Sequence, residues 1–175
     1  TANHDSDPMD DQGHGTHTSG TVAAVGNNGI GVVGLNWNAR VLSCKFLDST
    51  GYGTDAGAIE CFDYIVALRA RGVNIRVSTN SWGSPRAMGP PAAAIEAAID
   101  AAGAVGIINI FGAGNDGANN DVTPFDPASY TLPSIVAVAS SGPTDRRSSF
   151  SNYGAVSVDI AAPGQDILST YPGGG

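Results

Sequence analysis

Gly13-His14-Gly15-Thr16-His17-Thr18-Ser19-Gly20-Thr21-Val22-Ala23-Ala24 is a run of very small residues with a histidine at its mouth. Its composition predicts a tightly buried helix, from His14 to about Val25, that presents His14 at its exposed end and stops at the Gly26-Asn27-Asn28-Gly29 cluster. Outward from it, glycine, serine and asparagine recur where strands should end, the arrangement with which a parallel-sheet enzyme builds a cleft. His14 is thus the first candidate for chemistry, because an imidazole titrating near neutrality can take a proton and return it.

Upstream, residues 1–13 are polar and carry Asp5, Asp7, Asp10 and Asp11 around Pro8, which reads as a loop. Downstream, residues 40–47 read as a strand, 48–53 as a turn-rich connection, and 55–71 as a helix with Ile59, Phe62, Ile65, Val66 and Leu68 at helical spacing. The pattern repeats with a strand at 73–79, a loop through Pro85, Pro90 and Pro91, and an alanine-rich helix at 91–102. An apolar strand at 105–111 follows, then a long polar loop to Pro133 and strands near 135–139 and 156–161. Strands alternating with helices predict an α/β fold of three layers, a mainly parallel sheet with helices on both faces. No internal repeat or linker divides it, so residues 1–175 read as one domain.

Composition narrows the function. The chain has 175 residues, 42% of them hydrophobic, and no run resembling a membrane span. Sixteen acidic residues against eight basic ones, with Lys45 the only lysine, give a net charge of -8. That charge argues against nucleic acid or an anionic membrane as partner and suits cation binding. Twenty-four glycines place much of the backbone in turns and close approaches. Cys44 and Cys61 are too few for a disulfide scaffold. One bridge between them is compatible with a strand packed on the helix after it, though the sequence alone does not place their sulfurs. A first residue of Thr1 and a glycine-rich end at Pro172-Gly173-Gly174-Gly175 read as a chain cut from a longer one.

Five strings in order carry a resemblance: His14-Gly15-Thr16-His17 with its helix, Asn80-Ser81-Trp82-Gly83, Gly112-Ala113-Gly114-Asn115-Asp116-Gly117, Phe150-Ser151-Asn152-Tyr153-Gly154 and Ala162-Pro163-Gly164. Together they resemble the motif series of subtilisin-like serine proteases over essentially the whole chain. The resemblance implies that His14 is the general base and His17 a packed or hydrogen-bonded structural histidine. It makes Asn115 the side-chain donor of the oxyanion hole, where an amide faces developing negative charge. It also implies that Gly51-Tyr52-Gly53 and Ser81-Trp82-Gly83 sandwich an extended peptide substrate as an added strand. Gly112-Ala113-Gly114 would wall the pocket for the side chain before the cut. Trp82 replaces a more usual aliphatic residue and Phe111 a small one, so the shape of that pocket is open. Pro127 matches a position that is often cis in relatives.

Two other readings of the same residues are weaker. A zinc helix needs histidines one turn apart with a glutamate between, whereas His14 and His17 stand three apart around Gly15 and Thr16, with His4 nearby. Gly112 to Gly117 formally matches a dinucleotide fingerprint, but Ala118-Asn119-Asn120-Asp121-Val122-Thr123-Pro124 makes a poor helix to hold a pyrophosphate.

The acidic loop before His14 resembles a calcium site of some subtilisin-like proteases, with Asn3, Asp5 and Asp7 side chains and the Met9 carbonyl as ligands. Asn28 with the Ile30 and Val32 carbonyls is a second cation candidate. Secretion is expected from the same resemblance. A working triad also needs an aspartate and a serine. The family's Asp-Thr-Gly or Asp-Ser-Gly string and its Gly-Thr-Ser-Met-Ala string are both absent from these 175 residues. The expectation is a portion of a protease that is inactive alone and is completed by remaining segments of the same protein. The alternative is a pseudoprotease or peptide-binding module in which those strings never existed.

Overall fold

In the structure, a computed structural model, the described residues are 6–87, 89 and 91–173. They form two compact units: residues up to Cys61 together with Ile167 onward, and Phe62–Asp166.

The first unit is built on α1 (His14–Ala23). It forms where the small-residue run places it, but it is half-buried, with Gly20 its one buried residue. Small side chains here serve close approach on one face, not burial all round. A Cβ on Gly20 would lie 2.6 Å from the Ser169 hydroxyl, which donates to the His17 carbonyl at 2.6 Å. The Thr170 hydroxyl donates to the Thr16 carbonyl at 2.8 Å, so residues 169–170 run along the helix. At its far end the helix carbonyls of Thr21 and Val22 accept from the Leu35 and Asn36 amides, which satisfies groups that a helix end leaves open.

The strand expected at residues 40–47 is absent. Apolar composition favours a strand, but a strand exists only with a ladder partner, and none pairs with this stretch among the described residues. Val41 and Leu42 stay half exposed. The stretch is tied instead through side chains, with Cys44 disulfide-bonded to Cys61 across a Cα–Cα distance of 5.9 Å.

α2 (Asp55–Ala70) has its apolar positions Ile59, Phe62, Ile65, Val66 and Leu68 turned inward and Glu60 and Asp63 exposed, as the spacing predicts. The second unit then alternates: β1 (Val77–Asn80), β2 (Ser84–Pro85), α3 (Ala93–Ala104), β3 (Ile108–Gly112), β4 (Phe125–Asp126), β5 (Ile135–Ser141) and β6 (Ile160–Pro163). β1, β3, β5 and β6 form one parallel sheet in that order, and β2 pairs antiparallel with β4. α3 packs on β3, burying Ile95, Ala98, Ile99 and Ala102 at spacings of three and four. The α/β class with a parallel sheet is as expected.

Polar residues are also buried in this unit, one of them in the middle of β3. Asn109, fully buried in β3, accepts from the Ser78 hydroxyl at 2.7 Å and donates to the Ile99 carbonyl and the Ser134 hydroxyl. Its hydrogen bonds meet the condition for burying an amide. β6 starts later than the expected strand at 156–161, because the amides of Ala155, Val156 and Ser157 point at the Asp121 carboxylate and not at a ladder. The polar loop before Pro133 contains β4, and the Asp126–Pro127 bond is cis, as the resemblance implies.

Candidate active site

His14 is the first residue of α1 and is exposed. The helix start beneath it is held by two side chains from the preceding loop. The His14 amide donates to Gln12 Oε1 at 2.9 Å, and the Thr16 amide donates to Asp10 Oδ2 at 2.7 Å. Asp10 divides its carboxylate: Oδ1 accepts from the Gln12 and Gly13 amides, Oδ2 from the Thr16 amide and hydroxyl. Partial burial pushes this carboxyl up, but the hydrogen bonds from Gly13, Thr16 and Gln12 outweigh it and hold it well below the usual carboxylate range. His17 is half-buried, and its Nε2 lies 3.1 Å from the Ile167 carbonyl, the hydrogen-bonded role expected of it.

Asn115 is exposed, and no hydrogen bond engages its side chain among the described residues. The loop carrying it is fixed from below by two buried carboxamides, each 1% exposed. Asn152 Oδ1 accepts from the Asp116 amide at 2.8 Å and the Ala118 amide at 3.0 Å, so it grips the chain on the C-terminal side of Asn115. The Asn152 backbone amide donates to the Gly114 carbonyl at 2.9 Å, gripping the other side. Asn152 Nδ2 donates to Asn120 Oδ1, and Asn120 Nδ2 donates to the Ala113 carbonyl at 2.8 Å. Asn115 is thereby an exposed amide on a loop pinned at both flanks. The string at 150–154 is quotable from sequence, but its task and the part of Asn120 are tertiary and carry no local signal.

The other expected substrate residues divide. Gly112, Ala113 and Gly114 continue from the end of β3, with Ala113 buried and its amide donating to the Val138 carbonyl. Ser81 and Gly83 are exposed at the end of β1, and Trp82 between them is half-buried, edge-on to Phe111 at 5.5 Å. Phe111 is itself fully buried, so it packs under Trp82 and lines no open surface. Gly51-Tyr52-Gly53 form an exposed turn closed by Asp48, whose carboxylate accepts from the Thr50 hydroxyl and from the Thr50 and Tyr52 amides. The Tyr52 carbonyl accepts from the Asp48 amide, so both backbone groups of Tyr52 are spent within the turn. Gly112 to Gly114 and Ser81 to Gly83 lie in one unit; His14 and Gly51 to Gly53 lie in the other.

Of the proposed calcium ligands, Asn3 and Asp5 lie outside the described residues. Asp7 Oδ1 accepts from the Met9 amide at 3.0 Å. The Met9 carbonyl accepts from the Lys45 ammonium at 2.9 Å, and that ammonium also meets Asp11 Oδ2 at 2.7 Å. A dication on the Met9 carbonyl would face a fixed positive charge beside it, so the described ligands do not fit calcium as they stand. Asn28 Oδ1 accepts from the Ile30 amide, which closes a local turn. Among the described residues no cluster of three or more His, Cys, Asp or Glu side chains could hold a metal, and His4 of the zinc reading lies outside them.

Comparison with known proteins identifies the class. The Subtilase family model matches residues 1–174. Thermitase of Thermoactinomyces vulgaris is 36% identical over 96% of this chain and 55% of its own length. The thermophilic serine proteinase of Bacillus sp. (strain AK1) is 36% identical over 97% of this chain and 38% of its own. Subtilisin-like protease 2 of Plasmodium falciparum is 36% identical over 94% of this chain but only 12% of its own. Among solved structures, a cold adapted subtilisin-like serine proteinase superposes with a TM-score of 0.78 at 30% identity, over 97% of this chain and 55% of that one. This chain belongs to the subtilase family. It spans about half or less of the length of these relatives.

Two outcomes follow from the supports described above. Asn152→Ala removes the buried carboxamide that accepts from the part-buried Asp116 and Ala118 amides and is expected to cost about 1–3 kcal/mol, read from urea unfolding. For Asp10, a carboxyl with a lowered folded pKa stabilises the fold above its unfolded value, near pH 4, and loses that contribution as pH falls further. Asp10→Asn presents one acceptor oxygen where two are used, so the melting temperature should drop at neutral pH and fall less steeply than wild type below pH 4. Parallel pH profiles would contradict this role.

Proposed function

We propose that this chain supplies the general base and the oxyanion donor of a serine endopeptidase of the subtilisin type, acting on peptide or protein substrates. His14 takes the proton of a serine hydroxyl as it attacks the scissile carbonyl and returns it to the leaving amine. The Asn115 amide donates to the oxygen of that carbonyl as its charge develops. The serine and the aspartate that orients His14 are assigned to segments outside these 175 residues, which contain neither of the family's strings for them. The substrate backbone adds as a strand along Ser81-Trp82-Gly83, and Gly51-Tyr52-Gly53 is the second segment assigned to it by resemblance to the family.

The observation that carries this reading is the state of Asn115: an exposed donor, unengaged among the described residues, on a loop clamped by Asn152 and Asn120. A donor held in place before the charge arrives costs no reorganisation when it does. Secretion is part of the same proposal, supported by the Cys44–Cys61 disulfide, a bond that persists in oxidising compartments. Among the described residues no helix is long and apolar enough to cross a membrane.

The test is kinetic, on the full-length gene product. Asn115→Leu should lower kcat by about 10²–10³ with KM little changed; that magnitude is the one established for subtilisin, the reference case for the effect. An unchanged kcat would reject the oxyanion role. The 175-residue chain assayed alone should give no turnover, and a His14-dependent turnover by it would place a nucleophile inside these residues. No turnover by the full-length product, with intact peptide binding, would favour the peptide-binding module.

A further inference from the structure

The two backbone walls proposed to flank the substrate side chain before the cut are Ser81-Trp82-Gly83 and Gly112-Ala113-Gly114, and the space between their glycines is taken. A Cβ built on Gly83 would lie 2.5 Å from Phe125 Cε1 and 3.2 Å from Cδ1. One built on Gly114 would lie 2.9 Å from Phe125 Cδ2. One edge of the Phe125 ring therefore faces Gly83 and the opposite edge faces Gly114. A side chain at Gly83 would also meet the Asp126 carbonyl at 2.5 Å, and one at Gly114 would meet Asn152 Nδ2, with a φ of +111° that itself favours glycine, so the ring is one of several groups that close this space.

Phe125 is also held where it is. Its amide donates to the Ser129 hydroxyl at 3.0 Å, its carbonyl accepts from the Ser129 amide at 2.9 Å, and it pairs with Pro85 across the β2–β4 ladder. The next residue, Asp126, receives a fork from Arg86, with Nε at 2.8 Å from Oδ2 and Nη2 at 2.7 Å from Oδ1. The Arg86 amide donates to the Pro124 carbonyl at 2.8 Å, and its guanidinium lies 5.9 Å from the centre of the Tyr130 ring. Backbone bonds on both sides of Phe125 and a bidentate ion pair beside it oppose withdrawal of the ring by a loop shift. The ring is half-buried, so its remaining face is the floor that a ligand would meet.

We infer that Phe125 is a specificity-determining residue that fills the pocket between Gly83 and Gly114 and restricts the substrate residue before the cut to a small side chain, such as alanine, glycine or serine. This rests on the reading of those two segments as pocket walls. A ring already packed edge-on between the walls leaves no slot for a second aromatic or long aliphatic side chain without off-rotamer strain. The restriction is the same steric discrimination by which a pocket lacking volume rejects a larger substrate.

The experiment compares two otherwise identical peptides, with Ala or Phe before the scissile bond, in the full-length gene product. Wild type should favour Ala in kcat/KM by at least about tenfold, and Phe125→Gly should reverse or abolish that preference by raising the value for Phe. Binding of the corresponding product peptides, ending in Ala or Phe, is measured by calorimetry on wild type alone, so that the outcome does not depend on the variant folding. A wild-type preference for Phe in either assay overturns the inference. Cleavage of neither peptide with tighter binding of the Ala product sinks the proposed peptidase activity and upholds the pocket. Failure of both products to bind sinks the pocket as well.

Discussion

The arrangement of the second unit turns on one buried carboxamide. Asn152, nearly inaccessible to solvent, spends its oxygen on the amides of Asp116 and Ala118 and its nitrogen on Asn120, which in turn holds the Ala113 carbonyl. An amide buried in this way is tolerable only when its donors and acceptors are matched, and a matched network admits few alternative loop shapes. The exposed Asn115 inherits that restriction. A loop of glycine and asparagine, which left alone would sample many conformations, is reduced to one by groups that never reach the surface.

The same logic recurs wherever chemistry is expected. Charged side chains tie off backbone amides in loops: Asp10 under the start of α1, Asp48 inside the turn at 48–52, and Asp121 across residues 155–157. At Asp121 the hydroxyl of Ser157 and the amides around it hold the carboxyl below its usual range, and at Asp48 the Thr50 hydroxyl and the Tyr52 amide do the same. A protein with 24 glycines has little side-chain packing in its connections, and carboxylates accepting several amides are a compact substitute. The acidic balance of the chain thus has a structural use, apart from any cation.

Much of this was legible in the sequence, and the failures have physical causes. The apolar spacing of α2 and the apolar runs of β3 and β5 depend on burial patterns that the chain carries locally, so they were readable. Residues 40–47 have the composition of a strand without a partner to pair with, and composition cannot report a partner. The late start of β6 has the same origin, since Asp121 lies 34 positions or more from the amides it captures. At the site, His14 and Asn115 were named from ordered motifs. Asp10, Asn120 and Phe125 were missed because each acts through contacts made in space, and the glycines at 83 and 114 read equally well as open rims until the ring between them is seen.

The central claim is that His14 and Asn115 act on one reacting carbonyl, and a structure of the full-length gene product bound to a peptide aldehyde tests it most directly. The account predicts a hemiacetal whose oxygen accepts a hydrogen bond from the Asn115 side chain, with the His14 imidazole within hydrogen-bond reach of the attacking serine oxygen. An aldehyde bound elsewhere, or a hemiacetal oxygen that Asn115 does not touch, would contradict it.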